Sequence, residues 1–514
     1  MADVLRPQLH PVPLSDVYAA VPGCSSATPP AIPLAGVQVS GASLDSRSIR
    51  SGDLYLALPG RITHGARYSA DAVAAGAVAI VTDAAGAADC GGLGVPVLVV
   101  EDPRALSGPI SAAVHGWPAR SLQLLGITGT NGKSTVTAMV QAGLQSAGRR
   151  TGAIGTLGVG IGEEWLPGAR TTPEATDLQA ILAVMRAAEV QSVIMEVSSI
   201  ALDEHRVDGF RFDVAGFTQM SQDHLDYHGD MESYFAAKAR LFTPDHASMG
   251  VVGIDDEYGR RLVREASIPL FTWSIDDRSA DWYPADIRPI ATGSAVSVIG
   301  PHDEQLPLHV PLPGPYNVAN ALCAFGMLRS IGVDAEDAAR GIGGVSVPGR
   351  MQVVGRRTDS GSAAGIVGVV DYAHTPDAIT RVLEALQGDG RVVAVLGAGG
   401  DRDASKRPLM GAAAARLADV LVVTDDNPRS EDPSAIRAAI IEGATSVARD
   451  RGGAVLERGD RAEAIALAVG LARPGDTVIV LGKGHETGQE VAGVVNAFDD
   501  SEVLRAALRS GVSE

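Results

Sequence analysis

Short apolar runs alternate along the chain with longer segments in which apolar residues recur every three or four positions. Residues 121–148 show this most clearly, with the run SLQLLGIT, a glycine-rich loop, and a helical segment that Gly148 ends. Apolar runs bounded by turn residues predict buried strands, and the longer period predicts helices. Further strands are predicted at 192–199 and 213–220, and a helix at 231–242. This alternation predicts an α/β fold with a mostly parallel sheet.

The segments on either side of this sheet follow different patterns. Residues 1–118 contain short strand and helix units, and residues 284–315 alternate apolar residues with prolines, which predicts antiparallel strands at the edge of the central domain. A helix is predicted with Thr172 as N-cap and Pro173 at its first position. The Pro-Gly segment 346–354 is interpreted as a linker, and four later apolar runs predict a second, doubly wound sheet. The length favours about two to four domains.

Composition and charge limit the classes of function. The chain is 46% hydrophobic and 20% charged, as expected for a folded globular protein. Its net charge of −19 provides no basic field, so nucleic acid and anionic membrane surfaces are not expected partners. The scattered Cys24, Cys90 and Cys323 indicate a reducing compartment. The sequence shows neither a signal region nor a run of transmembrane length, so we expect a cytoplasmic protein without membrane insertion. We also expect a monomer.

Lysine is rare in this chain, and its positions are informative. Of 42 basic residues, four are lysine: Lys133, Lys238, Lys406 and Lys483. Arginine serves almost everywhere that a surface cation is wanted, so these lysines are candidates for places where arginine's chemistry fails. Arginine cannot lose its proton and cannot act as a compact point charge in a phosphate loop. Composition bias alone could also leave scattered lysines, so the count indicates positions rather than roles.

The loop GITGTNGKST follows a buried strand and precedes a helix, which is the context of a phosphate-binding loop. The strict spacing G-x-x-x-x-G-K-[ST] would need glycine where Ile127 stands. Gly129 and Gly132 still let backbone amides approach an anion at the helix N-terminus. Lys133 is expected to reach the β and γ phosphates of ATP, and the Ser134 hydroxyl to bind Mg²⁺. The alternative is a tight glycine turn with a surface lysine.

Glu196, His224 and Lys238 are candidates for a metal site beside this loop. Glu196 ends a buried strand, where a carboxylate is costly unless it meets a metal or a base, although a structural hydrogen bond is the alternative. His224 lies just past the next strand, in SQDHLDYHG. Lys238 follows Tyr234 by four positions on a predicted helix, so its stem should pack inward. Burial would lower its pKa and allow the neutral amine to form a carbamate with CO₂, but a snorkelling lysine is an equal alternative.

Three loops in the last third of the chain each follow a predicted strand and should therefore meet at one edge of the sheet. These loops span residues 397–408, 424–433 and 481–490. They bring together carboxylate binders and one carboxylate: Arg402, Asn427, Arg429, Gly482 and Glu486. That set suits a zwitterionic amino acid, because arginine can hold a carboxylate and glutamate an ammonium group. The alternative is an Arg/Asp network that stabilises the loops.

Taken in order, these motifs resemble those of the Mur ligases. The matching segments include GITGTNGKST, TTP, MEVSS, DHLDYH, YFAAKARLF, YNVAN, PGR, DYAHTPDA, GAGGDRD, DDNPR and GKGHE. The family's phosphate loop is G-T-x-G-K-[ST], which accounts for Ile127. The resemblance implies an N-terminal domain for the UDP end of a substrate (1–118), a central P-loop ATPase-type domain (119–347), and a C-terminal Rossmann-like domain for an amino acid (348–514). It also implies an ATP-dependent ligase of peptidoglycan biosynthesis that works through an acyl-phosphate.

The resemblance assigns roles position by position. The implied catalytic residues are Lys133, Glu196, His224 and Lys238. The implied Mg²⁺ ligands are Ser134, Glu196, His224 and Lys238 as its carbamate (N6-carboxylysine). The implied ATP-binding residues are Gly129, Thr130, Asn131, Gly132, Lys133, Ser134, Thr135, Asn317, Arg350, Asp371 and His374. The implied UDP-substrate-binding residues are Ser46, Asn131, Thr171, Thr172, Ser198 and Arg206. The implied amino-acid-binding residues are Arg402, Asp426, Asn427, Arg429, Gly482 and Glu486.

The implied substrates are UDP-N-acetylmuramoyl-L-alanyl-D-glutamate and diaminopimelate, the latter in its meso form. The DNPR sequence favours diaminopimelate, because Arg429 would pair with its second carboxylate and repel the ammonium group of lysine. LL-diaminopimelate, lysine or ornithine are the alternatives for the amino acid. For the whole chain, the alternatives are a folylpolyglutamate-synthase-like ligase or an inactive nucleotide-binding paralogue. Ile200, Glu204 and Gln219 depart from the family's usual residues, so contacts with the UDP substrate are expected to differ there.

Overall fold

The computed structural model describes residues 6–510 except positions 8–9, 22–31, 61, 163, 169, 291–292, 302–303, 358–364, 389 and 452. Cys24 therefore lies outside the described residues, whereas Cys90 and Cys323 are buried free thiols. No helix in these ranges combines the length and the apolar character needed to cross a bilayer.

The N-terminal part of the chain forms a parallel sheet covered by short helices. Its strands, in spatial order, are Gly41–Ser43, Asp53–Leu56, Ala79–Thr82 and Val97–Val99. Its helices are Leu14–Ala20, Ser69–Ala74 and Ser107–Val114, with 3-10 turns at Ser46–Ser48, Gly65–Tyr68 and Gly86–Cys90. A short antiparallel pair, Val12–Pro13 with Gln38–Val39, lies beside them. The strand and helix units predicted for this region are present.

The central sheet has eight strands, of which six run parallel. In spatial order they are Glu164–Leu166, Gly158–Ile161, Thr151–Gly155, Ser192–Glu196, Gln123–Thr128, Phe212–Phe217, Ala247–Gly253 and Leu270–Trp273. The first two of these strands pair antiparallel. Successive strand residues face opposite sides, so Leu125 packs in one buried cluster and Leu124 in another. Both faces of the sheet are therefore covered, as parallel sheets require.

Helices cover this sheet, and a separate antiparallel sheet lies at its edge. The helices are Lys133–Ser146, Ala175–Ala187, Ser199–Asp203, Leu225–His228, Met231–Ala239, Glu257–Glu265, Pro315–Ser330 and Ala335–Gly343, with 3-10 turns at Pro118–Ser121 and Arg240–Phe242. The antiparallel strands are Tyr283–Ile290, Gly293–Ile299 and Gln305–Val310. The prediction of antiparallel strands in this proline-containing segment is confirmed.

The C-terminal part of the chain is a second doubly wound sheet. In spatial order its strands are Gln352–Arg357, Ile366–Asp371, Thr477–Leu481, Val392–Leu396, Val420–Val423 and Ala454–Glu457, all parallel except the first. Its helices are Pro376–Glu384, Lys406–Leu417, Pro433–Arg451, Arg461–Leu471 and Asp500–Ser510. The four predicted strands are all present, so the α/β fold class with parallel sheets is confirmed. The domain boundaries at 118 and 347 stay predictions.

Two sequence predictions about local structure are wrong, and one element was missed. Thr172 does not cap a helix: the helix begins at Ala175, and the Thr172 hydroxyl instead donates to the Glu196 carbonyl oxygen at 2.8 Å. A tertiary hydrogen bond thus replaces the local cap. The segment 346–354, predicted as a linker, instead runs into the strand Gln352–Arg357, which pairs antiparallel with Ile366–Asp371. The missed element is the hairpin of Gly488–Val491 and Val494–Ala497.

Candidate active site

The glycine loop is shaped by contacts that leave no room for side chains. Gly129 has φ +141°, and a Cβ there would lie 1.9 Å from the Thr218 hydroxyl oxygen. Gly132 has φ +90°, and its Cβ would lie 2.3 Å from the Asn320 side-chain oxygen. Thr218 also donates its hydroxyl to the Asn131 carbonyl at 2.6 Å, which fixes the loop from below. The helix Lys133–Ser146 starts directly after Gly132, so its free N–H groups point into the loop.

A cavity of about 480 Å³ opens in front of this loop. Its lining contains these predicted nucleotide-side residues: Thr130, Asn131, Gly132, Lys133, Ser134, Thr135, Asn317, Arg350, Asp371 and His374. Gly129 lies behind the lining. The Asp371 carboxylate is fixed by the backbone N–H groups of Met351 and Ala373, at 2.7 and 2.8 Å, and burial raises its pKa. Segments distant in sequence thus converge on the loop as predicted.

Two ammonium groups share one acceptor behind the loop. Lys133 donates to the carbonyl oxygens of Gly129 and Thr130, at 3.0 and 2.9 Å. Lys238 donates to the same Gly129 oxygen at 2.9 Å and lies 4.4 Å from the Tyr234 ring centroid. Burial holds the pKa of Lys238 well below its ordinary value, and the charge of Lys133 lowers it further. Burial also lowers the pKa of Lys133, against the opposing effect of Glu196.

The sequence left two alternatives open for Lys238, a buried amine that forms a carbamate and a lysine that snorkels to solvent. The side chain is 2% exposed, so it does not snorkel to solvent, and the inward packing predicted from Tyr234 is observed. Its helix, Met231–Ala239, is capped by Asp230, which accepts a hydrogen bond from the Ser233 N–H at 2.7 Å. Lys238 is not part of the lining of the 480 Å³ cavity but lies behind the loop. The carbamate itself stays a prediction.

Glu196 is a buried carboxylate on the cavity side of the central sheet. It is 1% exposed and accepts from the backbone N–H and hydroxyl of Thr156, at 2.9 and 3.0 Å. Within the described residues no lysine, arginine or histidine forms an ion pair with it. Ser134 lines the same cavity. The charge of Glu196 acts on Lys133, whose pKa it raises against the effect of burial. A buried carboxylate with no direct ion pair, in the same polar lining as Ser134, is a donor set that fits Mg²⁺.

His224 and Asp223 lie at the entrance to this cavity. Asp223 is close to the His224 Nε2 (3.5 Å) and to the ammonium group of Lys406 (3.6 Å). These neighbours lower the pKa of Asp223 although burial opposes them. Burial lowers the pKa of His224, against the opposing charge of Asp223. No group of three or more His, Cys, Asp or Glu side chains within the described ranges has metal-binding geometry, so a metal here would need further oxygen donors.

A second cavity, of about 560 Å³, holds most of the other predicted residues. Those in its lining are Thr171, Thr172, Ser198, Arg206, Arg402, Asp426, Asn427, Arg429, Gly482 and Glu486. The three loops of the C-terminal sheet therefore do meet at one edge. Ser46 lies on a 3-10 turn of the N-terminal sheet and lines neither cavity.

The two cavities meet at a shared boundary. The residues that line both are Thr156, Thr171, Asp223, His224, Tyr372 and His374. His374 Nδ1 donates to the Tyr372 carbonyl oxygen at 3.0 Å, and burial lowers the pKa of His374 to about 4. A group held by the phosphate loop and a group held by the second cavity would meet at this boundary.

The far end of the second cavity carries a dense polar network. Asn427 Nδ2 donates to Glu486 Oε2 at 2.8 Å. Arg429 adopts φ +53°, donates to the Gly400 carbonyl at 2.6 Å, and lies 3.4 Å from the carboxylate of Glu490. The left-handed backbone at Arg429 is stabilised by hydrogen bonds to the 488–497 hairpin, at 3.1 and 2.7 Å.

Sequence reasoning missed some residues that contribute here. His485 Nε2 donates to the Thr156 carbonyl oxygen at 3.1 Å and so joins the C-terminal and central parts of the chain. It lies in the motif GKGHE, but the sequence assigned it no role. Lys406 lines the second cavity, and Lys483 donates to Glu486 in that lining. Both were candidates in the sequence because lysine is rare, but no role was predicted for either. Two of the residues that depart from the family's usual sequence also lie here. Glu204 forms an ion pair with Arg206 at 2.5 Å, and the buried side-chain amide of Gln219 has no hydrogen-bond partner among the described residues.

Comparison with known proteins places this fold and these motifs in one family. The Mur ligase middle domain model matches residues 127–328, the Mur ligase glutamate ligase domain model matches 349–484, and the Mur ligase family catalytic domain model matches 38–115. The chain belongs to the Mur ligase family. The resemblance read from its motifs is therefore confirmed.

Particular relatives narrow the comparison within that family. The chain is 50% identical over 483 residues to the UDP-N-acetylmuramoyl-L-alanyl-D-glutamate--2,6-diaminopimelate ligase of Streptomyces avermitilis, covering 93% of this chain and 94% of the relative. It is 47% identical to the ligase of the same name from Corynebacterium glutamicum, over 91% and 92% of the two chains. A solved structure of a ligase of this name matches with a TM-score of 0.67 and 30% identity, over 98% of this chain and 100% of the other.

More distant structures share the fold alone. A folylpolyglutamate synthase of Mycobacterium tuberculosis matches with a TM-score of 0.60 at 20% identity, over 80% of this chain and 95% of that one. That coverage is lower than the nearly complete overlap with the diaminopimelate ligase structure.

Proposed function

We propose that this chain joins meso-diaminopimelate to the D-glutamyl carboxylate of UDP-N-acetylmuramoyl-L-alanyl-D-glutamate, with ATP as the source of energy. As a Mur ligase, the chain is an ATP-dependent ligase that acts on small-molecule substrates. The observation that carries the proposal is the junction of two cavities, one at a phosphate loop and one at a loop edge rich in arginine and carboxylate. The chain is 50% and 47% identical, over more than nine-tenths of its length, to two ligases named for diaminopimelate, and this similarity supports the choice of acceptor.

In the first step, the glycine loop and the amino end of the helix Lys133–Ser146 hold the phosphates of ATP. Lys133 then turns from the loop carbonyls towards the β and γ phosphates and stabilises the charge of the transferred group. A substrate carboxylate oxygen attacks the γ-phosphorus, its bond to the β-bridging oxygen breaks, and ADP leaves. Asn317, Arg350, Asp371 and His374 would bind the rest of the nucleotide, and their presence in the lining of this cavity supports that role.

Ser134, Glu196 and His224 would hold magnesium beside the transferred phosphate, and the carbamate of Lys238 would act with them from behind the loop. Bound there, Mg²⁺ would neutralise phosphate charge and act as a Lewis acid. The burial of Glu196 without a direct ion pair among the described residues supports this role.

In the second step, the amine of the acceptor attacks the acyl-phosphate carbon, and the phosphate leaves as an amide bond forms. Thr171, Thr172, Ser198 and Arg206 would hold the UDP substrate, with Asn131 at the loop and Ser46 at the N-terminal sheet. Arg402, Asp426, Asn427, Arg429, Gly482 and Glu486 would hold the amino acid, and their presence in the lining of the second cavity supports this role. Both substrates would then meet at the boundary between the two cavities.

The choice of amino acid is expected to depend on Arg429. Diaminopimelate differs from lysine by a second carboxylate, which Arg429 would pair with, and an arginine facing the ammonium group of lysine would repel it. Replacing Arg429 with alanine should raise the KM for diaminopimelate about 10- to 100-fold and leave the KM for ATP unchanged. The measurement is the mass of the product formed with meso- and LL-diaminopimelate, lysine and ornithine. The proposed acceptor is wrong if the wild-type chain uses lysine or ornithine in preference.

A matched control is available at the opposite end of the C-terminal sheet. Arg391 forms an ion pair with Asp476 there and lines neither cavity. Its replacement by methionine should lower stability without changing the preference among the four amino acids.

The remaining expectations are part of the same proposal. The proposal includes a cytoplasmic location, which suits nucleotide-linked substrates. It also includes a monomeric state. A folylpolyglutamate-synthase-like ligase is the second candidate, because its fold is shared. An inactive paralogue would not need the converging Lys133, Glu196 and Lys238. Release of phosphate that requires both UDP-N-acetylmuramoyl-L-alanyl-D-glutamate and diaminopimelate would separate the proposal from both.

A further inference from the structure

Lys483 is a rare lysine to which the proposed mechanism gives no role. It follows the strand Thr477–Leu481 in the sequence GKGHE, and its side chain is 0% exposed. Burying an ammonium group is costly unless each of its protons finds an acceptor. The chain also uses arginine for nearly all other cations, so a lysine here indicates a requirement that arginine does not meet.

The Lys483 ammonium group has three acceptors that match its three protons. It donates to Asn427 Oδ1 at 3.1 Å, to Glu486 Oε2 at 3.0 Å, and to the Gly488 carbonyl oxygen at 2.5 Å. An ammonium group has three donors and no acceptor capacity, so this set uses it completely. A planar guanidinium is larger and cannot direct its donors to three acceptors around one point.

These contacts determine how the neighbouring side chains face the cavity. Because Asn427 Oδ1 accepts from Lys483 and from the Glu490 N–H (2.9 Å), the amide nitrogen must point the other way, towards Glu486 Oε2 at 2.8 Å. Oε2 therefore has two donors. No hydrogen bond to Oε1 occurs within the part of the chain that the structure describes, and the Glu486 side chain is 34% exposed in the lining of the 560 Å³ cavity.

Two carboxylates of this network face the cavity. Asp426 and Glu486 both belong to its lining, and Lys483 pairs with Glu486 through Oε2, which leaves Oε1 without a hydrogen bond among the described residues. The buried Arg461 also interacts electrostatically with both carboxylates, although its ion pair is with Asp500. Lys483 also holds Gly488, at the start of the hairpin whose Glu490 lies beside Arg429. One buried ammonium group thus fixes the elements at both ends of the proposed amino-acid site.

We propose that Lys483 is a positioning residue for the acceptor amino acid. It holds Asn427 and Glu486 so that one oxygen of Glu486 faces an ammonium group of the ligand, and it holds the hairpin that orders Arg429. This inference rests on the proposed function, because it assumes that the 560 Å³ cavity binds the amino acid.

The test uses the full-length chain with Lys483→Met, which keeps the apolar stem, and Lys483→Arg, which keeps the charge. Both substitutions should raise the KM for diaminopimelate about 10- to 100-fold. The KM values for ATP and for the UDP substrate should stay within about twofold of wild type, because the hydrogen-bond partners of Lys483 do not line the cavity at the phosphate loop. The matched control is Arg391→Met, which breaks an ion pair with Asp476 at the opposite end of the same sheet. It should lower the thermal midpoint without a selective change in the KM for diaminopimelate.

The result that overturns the inference is a KM for diaminopimelate within twofold of wild type in a folded variant, or an equal rise in all three KM values. If neither variant folds, wild-type protein labelled with ¹⁵N-lysine gives four side-chain signals at most. Saturating diaminopimelate, added with the UDP substrate and a non-hydrolysable ATP analogue, should shift the Lys483 signal, and an unmoved signal overturns the inference. Failure of wild-type protein to consume diaminopimelate would instead refute the proposed function.

Discussion

Replacing Lys238 with alanine is expected to lower kcat by about 10²- to 10³-fold, with partial recovery on addition of acetate or propionate. The reason is that the Lys238 amine lies beside a second ammonium group, with its pKa held well below the ordinary value by burial and by Lys133. A neutral amine can attack CO₂: a nitrogen–carbon bond forms, one proton leaves, and the product is an anionic carbamate. That change replaces a repulsive pair of cations with an attractive pair.

The matched variant is Lys238→Arg, which keeps the positive charge but cannot carry CO₂. It should be as inactive as the alanine variant, and carboxylates should not restore it because the larger side chain fills the space. The added measurement is a ¹³C NMR signal from ¹³CO₂ bound to wild-type protein, which both variants should lack. Unchanged activity of Lys238→Ala, or equal activity of Lys238→Arg and wild type, would contradict the carbamate.

Replacing Lys133 with methionine is expected to lower kcat/KM for ATP by about 10³-fold. In the structure its ammonium group rests on the carbonyl oxygens of Gly129 and Thr130, at 3.0 and 2.9 Å, within the loop that would hold the phosphates. Among the described residues, no other lysine belongs to the lining of the cavity in front of this loop. The developing charge on the transferred phosphate would therefore lose its nearest compact cation.

Lys133→Arg provides the control for charge. If a compact point charge is required, this variant should remain at least about 10²-fold below wild type, since guanidinium geometry does not fit the crowded loop. Binding of the UDP substrate, measured by calorimetry, should be unchanged in both variants. Activity of Lys133→Met within tenfold of wild type would remove the loop from the phosphate-transfer step.

Local pattern was sufficient to predict the elements that carry the site. The run SLQLLGIT is apolar because Leu124 and Leu125 face buried clusters on opposite sides of the sheet, and the glycines after it are required by close approach of Thr218 and Asn320. The strand-end positions of Glu196 and of the three C-terminal loops followed from the α/β alternation alone.

Other features depended on contacts between distant segments. Thr172 and Pro173 have the composition of a helix start, but a hydrogen bond to the Glu196 carbonyl fixes Thr172 elsewhere. The hairpin 488–497 is short and partly exposed, and it is joined to Arg429 by two backbone hydrogen bonds that no local pattern contains. The boundary between the two cavities arises from the packing of the central part of the chain against the C-terminal part. The motif GKGHE contains His485, but no local pattern shows that its side chain bonds to Thr156 across this boundary.

The rarity of lysine proved more informative than any single motif. Lys133 and Lys238 share the Gly129 carbonyl, Lys406 approaches Asp223, and Lys483 ties Asn427 to Glu486. All four therefore lie at the loop or at the second cavity. Their clustering is consistent with a chain that keeps lysine where a compact charge or a removable proton is needed.

The central claim is that the phosphate loop transfers the γ-phosphate of ATP to a substrate carboxylate rather than to water. The most direct measurement supplies UDP-N-acetylmuramoyl-L-alanyl-D-glutamate with ¹⁸O in the reacting D-glutamyl carboxylate, together with ATP and diaminopimelate in unlabelled water. Attack by the carboxylate predicts that each released phosphate carries one ¹⁸O atom, because the bridging oxygen of the acyl-phosphate leaves with phosphorus. Released phosphate without ¹⁸O, its new oxygen drawn from water, would contradict the account.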